Sequence, residues 1–219
     1  IPQNVTLIEN GAFSGCYNLT SICVDEENMS YDSRNNCNAI IETNSNTLIV
    51  GCSATIIPED IKSVGNNAFS GNRNLTSIII PEGVEIIGAN AFLGCKYLDD
   101  VTIPNSVIYI GANAFYGTAW YENLNDGVIY INNVLYDYKG KMPTSTSIIV
   151  KEGTISISPS AFYGCNGLAS ITIPKSVTSI GNSAFSGCSS LTAITIPAGV
   201  TNIEDETFHG CSNLNSIII

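Results

Sequence analysis

The sequence predicts a repeat solenoid built mainly from short parallel β-strands, with single-turn helices and two inserted β-hairpins. Three observations predict it. Phe recurs at 13, 69, 92, 115, 162, 185 and 208, and the steps 69 to 92, 92 to 115, 162 to 185 and 185 to 208 are identical. Most of these Phe follow a short apolar strand that ends in Pro, as at Pro81, Pro104, Pro174 and Pro197. Two segments, 25–54 and 118–147, break the period and carry the hairpins. A fixed period of this size is the signature of stacked units, each too small to bury its apolar face alone.

The unit reads L-xx-I-x-I-P-xx-V-xx-I-G-xx-AF-x-GC, with full copies at 168–190 and 191–213. In Ile171-Thr172-Ile173 and Ile194-Thr195-Ile196 the period is two, so the Ile side chains share one strand face. Pro81, Pro104, Pro174 and Pro197 lack a donor N–H and end those strands. Val177 and Ile180, like Val200 and Ile203, are three apart and face inward from a second extended segment. Gly88, Gly111 and Gly181 occupy a turn that a Cβ would obstruct. The Ala-Phe pair then brings an aromatic into the core from one helical turn. No window sustains the stripe of a long helix.

Composition narrows the function. With 8 Lys+Arg against 19 Asp+Glu, the net charge is −11. That balance opposes nucleic acid and anionic membrane surfaces, which need basic patches. No apolar run reaches the roughly 18 residues of a transmembrane segment.

The repeat resembles the BspA-like class of leucine-rich repeats, found in bacterial and protist cell-surface proteins. "LTAITI" fits the L-xx-L-x-L strand, and Cys follows "AFxG" as in that class. The general leucine-rich repeat has Asn or Cys three residues after the last apolar strand residue, where this chain has Gly83, Ser106, Ser176 and Gly199. The resemblance spans nearly the whole chain. It implies one curved solenoid domain over 1–219, displayed at the cell surface or secreted, that serves adhesion or protein binding without enzyme activity. Host or matrix proteins are the implied partners. Neither end carries a polar capping repeat and no signal peptide is present, so the chain reads as an excerpt of a longer protein.

In the first insertion "AIIET" and "NTLIV" flank Asn44-Ser45. In the second, "GVIYI" and "VLYDY" flank Asn132-Asn133, a type I′ turn candidate because Asn tolerates positive φ. Trp120, Tyr121, Tyr130, Tyr136 and Tyr138 cluster there and are candidate partner contacts, since such residues dominate interface hot spots. The alternative, which has more weight for the first hairpin than for the second, is that the hairpins merely extend the sheet and bury their own apolar side.

Cys16, Cys95, Cys165, Cys188 and Cys211 fill the slot after "AFxG" or "TFxG", which elsewhere holds Asn72 and Thr118. That slot asks for a small group bonding nearby backbone, so these five are expected to be reduced and structural. Cys37 and Cys52 differ. If the hairpin turns at Asn44-Ser45, paired positions sum to 89, which opposes the two thiols and makes them a candidate disulfide. Cys23, between Ile22 and Val24, points outward as a free thiol.

Catalytic and metal motifs are missing from the sequence, and no cofactor is indicated. The single His, His209, sits in a tolerant position of the repeat. Asp25, Glu26, Glu27 and Asp32 could hold Ca²⁺ only weakly, without the EF-hand pattern. The outward strand face forms two columns, Ser21, Ser77, Asp100, Ser170, Ala193 and Ser216, and Cys23, Ile79, Thr102, Thr172, Thr195 and Ile218. From these, Ser77, Asp100, Thr102, Ser170, Thr172 and Thr195 are candidate ligand contacts, because small hydroxyls suit extended polar ligands. Glycan recognition is therefore the alternative to protein binding, and a structural spacer for another domain is the third reading.

Overall fold

A computed structural model describes residues 1–9, 11–13 and 15–219. The chain forms two compact units, Ile1–Leu124 and Asn125–Ile219. Each is a stack of rungs with a front strand, a back strand and an aromatic turn.

The front strands are three to five residues long and parallel. In the first unit Ser77–Ile79 pairs with Asp100–Thr102, opposing Ser77 to Asp100 and Ile79 to Thr102. In the second unit Thr146–Ile149 pairs with Leu168–Thr172, and Ala193–Thr195 with Ser216–Ile218. Ile78, Ile148, Ile171 and Ile194 point into the core. The prolines expected to end the strands do so, each accepting the N–H of the Val three residues on, as in Val177 to Pro174 at 3.1 Å. Those valines begin the back edge, where two-residue strands such as Ser63–Val64, Ile86–Ile87 and Tyr109–Ile110 stack in parallel.

The Ala-Phe segments are hydrogen-bonded turns, not the single helical turns that the sequence suggests. Alternate N–H groups explain the difference. Ser70 and Asn72 bond back to Asn67 and Phe69 within the turn, whereas Asn67, Phe69 and Gly71 donate to Ala89, Ala91 and Leu93 of the next rung. A helix would keep all these donors to itself. The turn also needs a left-handed residue two before each Phe: Gly11 with φ of 79°, and Asn67, Asn90, Asn113, Ser160, Ser183 and Glu206 with φ of 54–61°. Among the described residues the α-helical segment is Ala119–Glu122, and a 3₁₀ turn spans Arg34–Asn36.

This geometry stacks the phenylalanines face to face. Phe69, Phe92 and Phe115 form one column at centroid spacings of 5.0 and 5.2 Å. Phe162, Phe185 and Phe208 form another at 5.5 and 5.7 Å. The spacing is close to the distance between strands, so backbone pairing and ring stacking reinforce each other. Close packing accounts for the turn glycines as expected: a Cβ on Gly111 would lie 2.3 Å from the Ala89 nitrogen, and one on Gly181 2.4 Å from that of Pro159.

Both hairpins form, and both join the back edge. Ala39–Glu42 pairs antiparallel with Thr47–Gly51, which pairs parallel with Ser63–Val64. Gly127–Ile131 and Val134–Lys139 repeat the arrangement against Ser156–Ile157. The second turn is Asn132-Asn133 as expected, but only Asn132 has a positive φ (51°), so it is not the type I′ form.

The disulfide expected between Cys37 and Cys52 is not formed; both thiols are free and buried. Near the turn the register sums to 89, as in Glu42 with Thr47 and Ile41 with Leu48. A bulge between Ile40 and Ile41 then shifts the pairs to Ile40 with Val50 and Ala39 with Gly51. That one-residue slip removes the opposition on which the bridge depended. The Cys52 thiol instead donates to the Asn38 carbonyl at 3.4 Å.

Candidate functional site

The aromatic cluster of the second insertion is largely committed to the fold. Tyr121 and Tyr136 are 4% and 3% exposed. Trp120 is half-buried, with its ring 5.0 Å from Phe115. Tyr138 begins the second unit's column, 6.4 Å from Phe162, and its N–H donates to Ala161 as a repeat Phe would. The sequence holds that signal, since Tyr138 lies one full period after Phe115. The Tyr130 hydroxyl accepts the Lys151 N–H at 3.0 Å, and the Lys151 ammonium lies over its ring.

The outward strand face is exposed where the alternation placed it. Ser77, Asp100 and Thr102 are exposed in the first unit, as are Ser170, Thr172 and Thr195 in the second. Ile79 and Ile149 stand among these hydroxyls at 70% and 82% exposure. Ile149 and Ser147 belong to the face but escape the sequence reading, because no Pro marks the end of their strand. Ser147 and Ser170 oppose each other, and their hydroxyls hydrogen-bond at 2.8 Å.

The slot cysteines bear out the backbone-bonding expectation. The thiols of Cys95, Cys188 and Cys211 donate to the carbonyls of Phe69, Phe162 and Phe185 at 3.0, 3.2 and 3.1 Å. Burial pushes the Cys95 and Cys165 thiols up to about 12, so these sulfurs are poor nucleophiles. Cys16 and Cys23 are exposed, and His209 is solvent-facing.

Asp25, Glu26 and Asp32 line a depression of about 540 Å³. Arg34 occupies the centre of its charge, bonding Asp32 at 2.5 Å and also Asp60. Burial opposes ionisation of Asp32, but the Arg34 hydrogen bonds outweigh it and hold the carboxyl below its usual range. Among the described residues no group of three or more His, Cys, Asp and Glu is placed to hold a metal ion. A separate cavity of about 420 Å³ opens between the aromatic turn containing Phe13 and the one containing Phe69. Among the described residues no helix is long and apolar enough to cross a membrane.

Parallel front strands, stacked Phe turns and a thiol after most turns define a leucine-rich-repeat solenoid. The model of the BspA type leucine rich repeat region, present in six copies, matches residues 1–118, 40–139 and 129–219. The chain belongs to that family. A leucine-rich repeat protein from Eubacterium ventriosum is 27% identical, aligned over 96% of this chain and 57% of its own, with a TM-score of 0.51. The pneumococcal vaccine antigen PcpA is 20% identical over 99% of this chain and 43% of its own, with a TM-score of 0.47. A leucine rich cell surface protein from Faecalibacterium prausnitzii is 24% identical over 99% of this chain and 77% of its own, with a TM-score of 0.39. No curated protein matches the chain.

Proposed function

We propose that this chain is a non-enzymatic protein-binding scaffold at a cell surface, acting in adhesion, with its front strand faces as the contact. The family supports a binding or surface role. The observation that carries the choice of face is the exposed isoleucine within it. Ile79 lies beside Ser77, Asp100 and Thr102, and Ile149 beside Ser147, Ser170 and Thr172. Large apolar side chains held out on a rigid polar sheet suit a protein partner. The second hairpin supports this surface by ordering its rung, since its aromatics pack inward. Treating both units as parts of one repeat domain belongs to the same proposal, and the continuous family match supports it.

The test is binding of the chain to immobilised extracellular-matrix proteins, repeated with Ile79→Asp and Ile149→Asp. Both positions are exposed, so the melting transition stays where it is and binding falls at least tenfold. Undiminished binding by both variants removes the strand faces from the account. Glycan recognition is the second reading, favoured by the exposed Ser147–Ser170 hydroxyl pair. A glycan array with no hit on the chain eliminates it.

A further inference from the structure

The front face of the first unit carries a second exposed isoleucine. Ile56 lies one full period before Ile79, and the back edges of their rungs pair with the same offset, Val64 with Ile87. The two rungs are therefore neighbours, and the two side chains share one outward column. Ile56 is 78% exposed while Thr55 and Ile57 on either side of it are buried, so the alternation itself holds it out. Carboxylates border the pair at both ends of the strands. Glu59 and Glu82 follow Pro58 and Pro81, one period apart, and both are exposed. At the other end Asp100 opposes Ser77, and Asp99 donates its N–H to the Thr76 carbonyl; both aspartates are exposed. Among the described residues the ion pairs are those of Arg34 with Asp32 and Asp60, so none of these four carboxylates is paired. Lys62 is the cation nearby, beside Gly83. Four carboxylates against one ammonium leave the border negative.

We propose that this face docks an extended basic segment of a partner protein, its apolar side chains over Ile56 and Ile79 and its Lys or Arg side chains against the bordering carboxylates. The inference rests on the strand faces being the contact and names the chemistry of what the first unit takes. Charge complementarity selects the occupant. The apolar centre holds any apolar partner, whereas an unpaired acidic rim turns away an acidic segment and draws a basic one. An extended segment presents alternate side chains to the sheet, and the long stems of Lys and Arg reach a rim while covering apolar surface.

The probe is a short fluorescent peptide of alternating Lys and Leu, titrated into the full chain and followed by anisotropy. Peptides of alternating Glu and Leu and of alternating Lys and Ser are the comparisons. The Lys-Leu peptide should bind saturably, about tenfold or more tightly than either, and should weaken as salt rises. Ile56→Ser with Ile79→Ser, and separately Glu59→Gln with Glu82→Gln and Asp100→Asn, should each lower its affinity about fivefold or more. Glu204→Gln with Asp205→Asn, exposed carboxylates of the second unit, should leave it unchanged. An equal loss there would reduce the effect to net charge and overturn the site. Equal binding of the Glu-Leu peptide, or no loss in either set of first-unit variants, also overturns it. If Ile79→Asp abolishes matrix binding while the Lys-Leu peptide fails to bind, the face stands and its basic partner falls.

Discussion

Trp120 packs on Phe115 with ring centroids 5.0 Å apart and planes inclined at 56°, and so adds a tilted ring beside the column that runs through Phe69 and Phe92. Its geometry follows from the residue two before it. Thr118 fills the slot that elsewhere holds Cys, and its hydroxyl accepts the Tyr121 N–H at 3.0 Å, capping the helix Ala119–Glu122. A thiol caps poorly. The same hydroxyl donates to the Phe115 carbonyl at 2.8 Å, so the slot keeps its link to the column.

Removing this ring should therefore loosen the packing on Phe115. Trp120→Ala is expected to destabilise the chain by about 2 kcal/mol, below the cost of a fully buried aromatic because Trp120 is half-buried. Trp120→Phe should recover at least half of that. Urea unfolding of both variants measures it, and an unchanged midpoint for the alanine would remove the packing role.

Thiol chemistry should divide by burial. Cys16 and Cys23 should react rapidly with a disulfide reagent in the native protein, while Cys95, Cys165 and Cys188 stay silent until unfolding. Alkylation in denaturant without reductant should modify all eight cysteines. A product two modifications short, with Cys37 linked to Cys52, would contradict the free thiols.

The buried thiols also give a pH dependence. Cys95 and Cys165 stay protonated in the folded chain up to about pH 12, whereas in the unfolded chain they ionise near 9. The folded state then holds more protons between those values, so stability falls as pH rises from about 9 toward 12. Each thiol contributes a slope of up to about 1.4 kcal/mol per pH unit. Cys95→Ser should leave a flatter alkaline limb in a stability-versus-pH series than the parent; an identical limb would contradict the assignment.

Backbone sign supplies a stabilising change. Glu206 holds a φ of 54° in a position where Asn67, Asn90 and Asn113 serve other rungs. Asn tolerates this region better than Glu, so Glu206→Asn should stabilise by about 0.5–1 kcal/mol. Asn90→Ala should lose about 1 kcal/mol at the equivalent site. Thermal melts at fixed pH discriminate the two directions.

Close approach supplies the opposite. Gly111 has an ordinary φ, yet its added Cβ would press on the Ala89 backbone at 2.3 Å. Gly111→Ala should cost about 3 kcal/mol or prevent the rung from stacking. A loss in urea unfolding no larger than that of an ordinary surface substitution, about 0.5 kcal/mol, would mean the rungs can separate freely.

The repeat is legible because its physics is local. An Ile-x-Ile alternation decides which strand face is buried, Pro ends the strand, and a recurring Phe needs a recurring place in the core. Those rules put Ser77, Thr102, Ser170 and Thr195 on the outside by pattern alone, and they identify both hairpins. The turn type at Phe is not legible, because a single rung does not reveal that half its donors serve its neighbour. The offset between Cys37 and Cys52 is hidden too, because no local signal marks the bulge between Ile40 and Ile41 that shifts the register. The second hairpin's aromatics look available as a cluster in sequence, yet stacking takes Trp120 and Tyr138 into columns and burial takes Tyr121 and Tyr136. What the sequence by itself determined is periodicity, and with it the rung, its inward face and its family. What only the tertiary structure decided is register between rungs, because that depends on pairing across a whole repeat of chain, which no local pattern encodes.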